Sequence, residues 1–252
     1  MWEWLVSPID PSRIHDVGRA VSWHGRAMVL GWGVLAPLAV LVARFFKVLP
    51  GQDWPRELDN RFWWRSHWIG QSLVVAVTIV GLLLVLPSDI TAMTLHGWLG
   101  YSVLVGVAVQ ILLGLFRGSK GGPTAPAADG SLRGHHYDMT PWRRTFEVLH
   151  KTIGYTLLVL ATTTIFLGLW TANAPIWMWL VLSIWLPSLI AVFVIFQKRG
   201  MAVDTYQAIW GDNLRHPGNR RPPPGWGMRR LEAKTKRNED VRFDRRNRVR
   251  NP

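Results

Sequence analysis

Residues 67–87 read HWIGQSLVVAVTIVGLLLVLP: one histidine, then some twenty residues without a charge, closed by a proline. A stretch of ~17–25 predominantly apolar residues is what a helix needs to cross a hydrocarbon core of about 30 Å. The same arrangement occurs at His24 before residues 27–43, at His96 before 97–116 and at His150 before 152–170, and a fifth apolar run covers 176–196. In lipid such runs must be helical, because their backbone polar groups find no water there. A single run of this kind also fits a buried helix of a soluble domain; five in succession predict an all-α integral membrane protein with five transmembrane helices.

Consecutive spans alternate in direction, so histidines that open consecutive spans alternate between the two faces. His24 and His96 then share one side of the membrane, and His67 and His150 share the other. An ionisable residue placed inside a membrane is costly and points to function. Each histidine taken alone is explained by a headgroup or a backbone carbonyl, but four at equivalent positions form two facing pairs. Neutral imidazole suits Zn, Cu, Ni and Fe. A di-metal carboxylate site needs acids beside the histidines, and the apolar runs contain none. Bis-histidine ligation therefore predicts two haem b groups in a four-helix diheme bundle: His24 with His96 for an outer haem, and His67 with His150 for an inner one. Filling both axial positions favours electron transfer over oxygen chemistry.

Glycines accompany the histidines at helical spacing: Gly70 after His67, Gly97 and Gly100 after His96, Gly154 after His150, and Gly25 and Gly31 after His24. Residues at i+3, i+4 and i+7 share a helix face. Glycines there leave flat space for a macrocycle, or else permit close packing of membrane helices. Arg26 near the outer pair, and Arg44, Lys47, Arg65 and Lys151 near the inner pair, are candidates for haem propionates or an anionic donor, with snorkelling to lipid phosphate as the alternative. The other histidines, His15, His135, His136 and His216, are expected to be exposed; His135 and His136 carry the further option of touching a substrate or metal.

Charge orients the bundle. The net charge is +13, with five Lys/Arg in Arg44–Ser66, five in Arg117–Leu149 and fifteen after Phe196, against none in Pro87–Ala92 or Thr171–Pro175. Basic loops stay on the cytoplasmic side. The N-terminus is expected outside and the C-terminus inside, as an odd number of spans requires. Tryptophans and tyrosines at the ends of the runs, among them Trp23, Trp63, Trp64, Trp98, Tyr101, Trp170 and Trp177, fit interfacial belts. With no cysteine in the chain, covalent c-type haem and cysteine-ligated iron–sulfur clusters are excluded for it. Met1–Trp23 carries Glu3, Asp10 and Asp16 and lacks the basic start of a cleavable signal, and residues 1–22 are expected to lie along the interface. Residues 198–252 form a basic, Pro/Arg-rich cytoplasmic tail. It suits anionic lipid, at about 1 kcal/mol per basic residue, or a partner subunit, and nucleic acid is not expected.

The segments His24-Gly25-Arg26-Ala27-Met28, Ala43-Arg44-Phe45-Phe46-Lys47, His67-Trp68-Ile69-Gly70-Gln71, Leu95-His96-Gly97-Trp98-Leu99-Gly100 with Gln110 and Arg117, and Arg143-Arg144-Thr145-Phe146-Glu147 before His150 and Gly154-Tyr155 together resemble the cytochrome b561 family over about residues 20–200. The resemblance implies two b haems with first-to-third and second-to-fourth histidine pairing, and electron movement across a membrane by an oxidoreductase or carrier. Many animal and plant members take electrons from ascorbate and pass them to monodehydroascorbate or ferric chelates. Thr94–Trp98 is similar to, but not the same as, the segment linked with ascorbate in those members. The five-span layout looks more like the core fused to extracellular DOMON domains. A separate membrane or periplasmic redox protein is the partner expected in place of such a domain. The absence of cysteine and the short loops lead us to expect a bacterial inner membrane. An accessory subunit of a larger complex, docked through the basic tail, is the alternative function.

Overall fold

The computed structural model describes residues 2–86, 94–117 and 140–231. The loop Pro87–Ala92, most of the loop Gly121–Thr140 with His135 and His136, and the tail beyond residue 231 lie outside the described residues. A short helix α1 (Trp2–Val6) precedes the first span, which runs from Arg19 to Phe45 as α2 (Arg19–Met28), a π-helical segment (Val29–Leu35) and α3 (Ala36–Phe45). The remaining spans are α4 (Phe62–Leu83), α5 (Leu95–Leu115), α6 (Pro141–Thr171) and α7 (Ile176–Lys198), followed by a short α8 (Thr205–Trp210) and a 3-10 turn (Pro217–Arg220). Among the described residues there is no β-strand, only the isolated bridges Pro8–Pro175 and Val203–Arg229. The protein is an all-α integral membrane protein with five membrane-length helices.

The first, second and fourth spans begin well before their apolar runs, because each opens with polar or aromatic turns that the bilayer interface accepts, whereas α7 begins with its run at Ile176. Thr94 caps α5 by accepting from the Gly97 amide, and Thr140 caps α6 by accepting from the Arg143 amide, the role threonine takes at helix starts. In consequence the histidines do not sit at the first residue. His96 is the second residue of its helix, but His24 and His67 lie more than a turn inside theirs. His150 lies in the third turn of a 31-residue helix, roughly 46 Å long at 1.5 Å per residue. That extension also brings a carboxylate, Glu147, onto a spanning helix.

The π-helical segment has a local cause. Pro37 has no N–H to give the Gly33 carbonyl, and the Ala36 amide reaches back to Gly31 instead. The Gly33 carbonyl takes the Trp185 indole N–H at 2.8 Å, which fastens α7 to the first span. Inside the bundle, Trp32, Ala36, Val74, Val103, Leu157, Ala161, Ile165 and Leu182 form the core, with the Trp32 indole donating to Thr78 Oγ1 at 3.0 Å. The first span lies on α4, α5 on α6, and α7 at the periphery against α3 and α6. Gly106 admits Leu157 of α6 closer than any Cβ would allow.

Residues 199–231 do not project from the bundle. Ala202 joins Leu41 and Phe45 under Phe193 and Phe196, and Tyr206, Ile209 and Trp210 form a small core of their own. His216, expected to be exposed, is buried beside Trp210, ring centroids 6.2 Å apart. At the opposite end, residues 7–13 lie on the turn between α6 and α7. The Asn173 amide donates to the Asp10 and Arg13 carbonyls at 3.0 and 2.7 Å.

Candidate functional site

The fold brings the four span histidines together in two pairs, at opposite ends of the bundle. His24 faces His96 with ring centroids 6.0 Å apart and planes at 83°. His67 faces His150 at 6.1 Å and 80°. A metal–imidazole bond of about 2 Å on each side puts two ring centroids roughly 6 Å apart, so both pairs have the separation of axial ligands on one iron.

At the N-terminal end each imidazole is oriented by a backbone carbonyl. His24 Nδ1 lies 2.9 Å from the Gly81 carbonyl and His96 Nδ1 2.9 Å from the Thr164 carbonyl. An Nδ1–H donated to a carbonyl fixes the tautomer in which Nε2 carries the lone pair, the arrangement that metal-bound histidines use. Both carbonyls belong to neighbouring helices, α4 and α6, which is how the bundle sets the rings. Beside the pair is a cavity of about 350 Å³ lined by Met28, Trp32, Gly97, Gly100, Val103, Leu104 and Ile165. Its walls are apolar, as the macrocycle of a haem requires.

At the C-terminal end the rings are held by packing. Phe146 stacks on His150 at 5.1 Å and 29°, and the Gln110 side chain donates to the His150 carbonyl at 2.8 Å. The Ala39 carbonyl faces the His67 ring without completing a hydrogen bond to Nδ1. His67 Nδ1, His150 Nδ1, Gln110 Oε1 and Arg143 Nη1 are all buried with no partner. Buried polar atoms are normally satisfied, so a cluster of four beside one histidine pair fits a group held there in the functional protein. Imidazole nitrogens, an apolar cavity at one end and unpaired buried polar atoms at the other, Arg143 Nη1 among them as a donor, together suit haem b. Among the described residues, no three His, Asp or Glu side chains converge as an alternative metal site.

The glycines divide in a way the sequence reading did not resolve. Gly97 and Gly100 line the cavity, and a Cβ on Gly25 or Gly100 would meet nothing. Gly70 faces the Ala39 methyl, Gly31 faces α4 and Gly154 faces Gln110, so these three serve close helix packing. The glycines that seat the rings are others. A Cβ on Gly168 would lie 2.9 Å from His96 Cε1, and Gly81, beside His24, leaves room for Met28 and Ala27. Both lie on the partner helix of the histidine they serve, where no spacing from that histidine reveals them.

The basic residues also sort themselves. Arg26 is exposed and lies over the Trp23 ring at 5.0 Å, and Arg65 is exposed. Arg44 is buried and donates to Tyr155 Oη at 3.0 Å, to Gln197 Oε1 at 2.8 Å and to the Trp226 carbonyl at 2.9 Å. Lys47 is buried and donates to the Val203 carbonyl at 3.0 Å. Burial pushes the Lys47 amine down to about 7, with Lys151 adding to the effect and Glu147 and Asp204 opposing it. Lys151 pairs with Glu147 at 2.6 Å, and Arg143 pairs with the same carboxylate at 2.9 Å. Arg117 lies over the Trp64 ring at 4.0 Å. Arg143 and Arg117, quoted in the sequence only as part of the resemblance and not as site residues, both act electrostatically on this histidine pair.

The family described as "Eukaryotic cytochrome b561" matches residues 23–123. A cytochrome b561 and DOMON domain-containing protein of Arabidopsis thaliana is 30% identical over 145 residues, which is 58% of this chain and 30% of the relative. A cytochrome b561, DM13 and DOMON domain-containing protein of the same plant is 24% identical over 156 residues, 61% of this chain and 15% of the relative. The chain thus spans less than a third of the length of either. No solved structure matches. The matched region carries three of the four paired histidines, and α6 supplies the fourth, so over residues 23–123 the chain is similar to the cytochrome b561 family.

Proposed function

We propose that this protein carries electrons across a membrane through two haem b groups, one held by His24 and His96 and the other by His67 and His150. The observation that carries the reading is the matched geometry of the two pairs, 6.0 and 6.1 Å between ring centroids at opposite ends of one bundle. When bound, haem b supplies a reversible one-electron couple, and two imidazole ligands leave its iron no open position.

The chain's own residues do the rest. The Gly81 and Thr164 carbonyls hold the His24 and His96 rings, and Phe146 holds His150. Met28, Trp32, Val103 and Ile165 keep water from the N-terminal site. At the other site Arg143, with Nη1 unpartnered, is placed to receive a carboxylate. Two stations divide a crossing of about 30 Å into shorter steps, and over the whole crossing the membrane potential adds or subtracts ~2.3 kcal/mol per electron for every 100 mV.

The charge distribution supports a cytoplasmic location for the His67–His150 end. The cysteine-free composition supports a bacterial inner membrane, with a separate redox protein as donor or acceptor. An accessory-subunit role rests on the basic tail, part of which lies beyond residue 231. Residues 199–231 engage the chain's own bundle, which favours the electron-transfer reading. The test is a reduced-minus-oxidised visible spectrum with pyridine haemochrome quantitation. Two b haems per chain are expected, and roughly one in each of His24→Ala and His67→Ala. A haem-free chain would sink the reading and return the histidines to a packing role.

A further inference from the structure

The C-terminal segment meets the bundle in an unusual way. Side-chain donors from the bundle point at its main-chain carbonyls: Arg44 Nη2 to Trp226 at 2.9 Å, Gln197 Nε2 to Gly227 at 2.7 Å, and Lys151 Nζ to Pro224 at 3.4 Å. These donors belong to a basic cluster. Arg44, Lys47, Arg143 and Lys151 have Glu147 among them, and the neighbouring Asp204 is paired with Arg230 at 3.2 Å. Among the described residues Arg44 has no carboxylate partner; its hydrogen bonds go to an amide, a phenol and a main-chain carbonyl. Cationic donors already strengthen these bonds to carbonyls, but a carboxylate or phosphate adds an opposite charge and a bidentate fit to Arg that a main-chain carbonyl lacks.

The segment is also built to move as a unit. Residues 221–228 have no helix or strand, and Gly225 and Gly227 sit at φ +100° and +65°. Trp226 is 75% exposed. Both ends are tied independently of the middle. Arg230 donates to the Gly218 and Asn219 carbonyls, the Arg229 amide donates to Ala202 at 2.9 Å, and the Asp204 amide donates to the Arg229 carbonyl at 2.8 Å. A loop whose ends are clamped together and whose middle buries little can open locally at low cost. Its lifting leaves α8 in place.

We propose that residues 221–228 are a displaceable strap that plugs a cationic pocket at the His67–His150 end, and that a small oxyanion, carboxylate or phosphate, takes the donors of Arg44, Gln197 and Lys151 when the strap lifts. The inference stands apart from the electron-transfer reading, since it needs only the basic cluster and the strap. It makes access to this end of the bundle conditional: with the strap seated, the pocket is filled by the chain itself.

Trypsin reads the state of the strap, because Arg220, Arg229 and Arg230 flank it, whereas the Arg221–Pro222 bond resists the enzyme. The purified full chain is digested briefly in inorganic phosphate and in chloride at equal ionic strength, and again in vesicles of anionic or zwitterionic lipid. Gly227→Val is the opening control, since a Cβ there would meet Gln197 Nε2 at 2.8 Å and Arg44 Nη2 at 3.1 Å in a backbone that disfavours side chains. Cleavage after Arg220 several-fold faster in phosphate than in chloride, with Gly227→Val fast in both, supports the proposal with a soluble anion as the displacing ligand. Acceleration confined to anionic vesicles supports it with a lipid headgroup as the source. Equal protection in all four conditions, while Gly227→Val is cut quickly, overturns it and makes the segment a permanent cap. Protection of Gly227→Val itself overturns it as well, because the strap would then not depend on these contacts.

Discussion

Lys47 shows how position sets the chemistry of a single residue. From the sequence it is one of several cations near a cytoplasmic interface, free to snorkel. The chain after Lys198 folds back over it, its Nζ meets the Val203 carbonyl at 3.0 Å, and burial drives its pKa from 10.5 down to about 7. Lys151, Arg44, Glu147 and Asp204 are the charged groups around it. A depressed lysine pKa means that the unfolded chain holds the proton more tightly than the folded one. Stability therefore rises with pH across the window from about 7 to about 10.5, by up to about 1.4 kcal/mol per pH unit at its steepest. Below pH 7 both states hold the proton, and the full cost of the buried charge remains. Thermal unfolding followed between pH 6.5 and 9 should show this rise in the unaltered protein and a flatter profile in Lys47→Met. Parallel profiles would mean that the amine titrates normally and that water reaches it. The histidine pairing was legible in the sequence because run order alone alternates the faces. The burial of Lys47 was not, because nothing in a polar, Pro-rich tail announces what it will cover.

At the scale of the element, the break in the first span follows from one residue. Pro37 can be read in the sequence, but the way the helix absorbs it cannot. Proline in a helix removes a donor and clashes with the preceding turn, and the possible outcomes include a kink, a break or a widened turn. Here the turn widens into a π-helical segment, of a kind often found at functional sites. It presents Trp32 to Thr78 and to the cavity beside His24 and His96, and the donor missing at Gly33 comes from Trp185 on α7. The fifth helix, which carries no paired histidine, is thereby fastened to the one that does. Trp185→Phe should cost about 1–3 kcal/mol, the penalty for a buried carbonyl left without its partner. Pro37→Ala restores a backbone donor at the right place, so in that background the same change should cost much less. A double-mutant cycle on detergent-solubilised protein measures the difference. Additive costs would show that the indole acts by its bulk alone. The first, second and fourth spans start several residues before their apolar runs for a related reason: the polar first turns belong to the helices but not to the runs.

The whole molecule is polarised in a way that no single element reveals. Among the described residues, the end carrying His24 and His96 has three basic side chains, Arg13, Arg19 and Arg26, while the end carrying His67 and His150 has sixteen. The five helices alternate in direction, so residues 2–18 and 199–231 lie at opposite ends. Positive charge is retained on the cytoplasmic side, which would put the apolar cavity beside His96 near the outside and the strapped pocket near the inside. The chain contains no cysteine, so this orientation can be tested without background. Ile14 and Leu214 are strongly exposed at the two ends and touch neither histidine pair. Ile14→Cys should react with a membrane-impermeant maleimide on intact cells, and Leu214→Cys only after permeabilisation. The reverse pattern would invert the orientation and exchange the roles of the two ends. Reaction of both on the same side would contradict an odd number of spans, and with it the alternation that places the two histidine pairs on opposite faces.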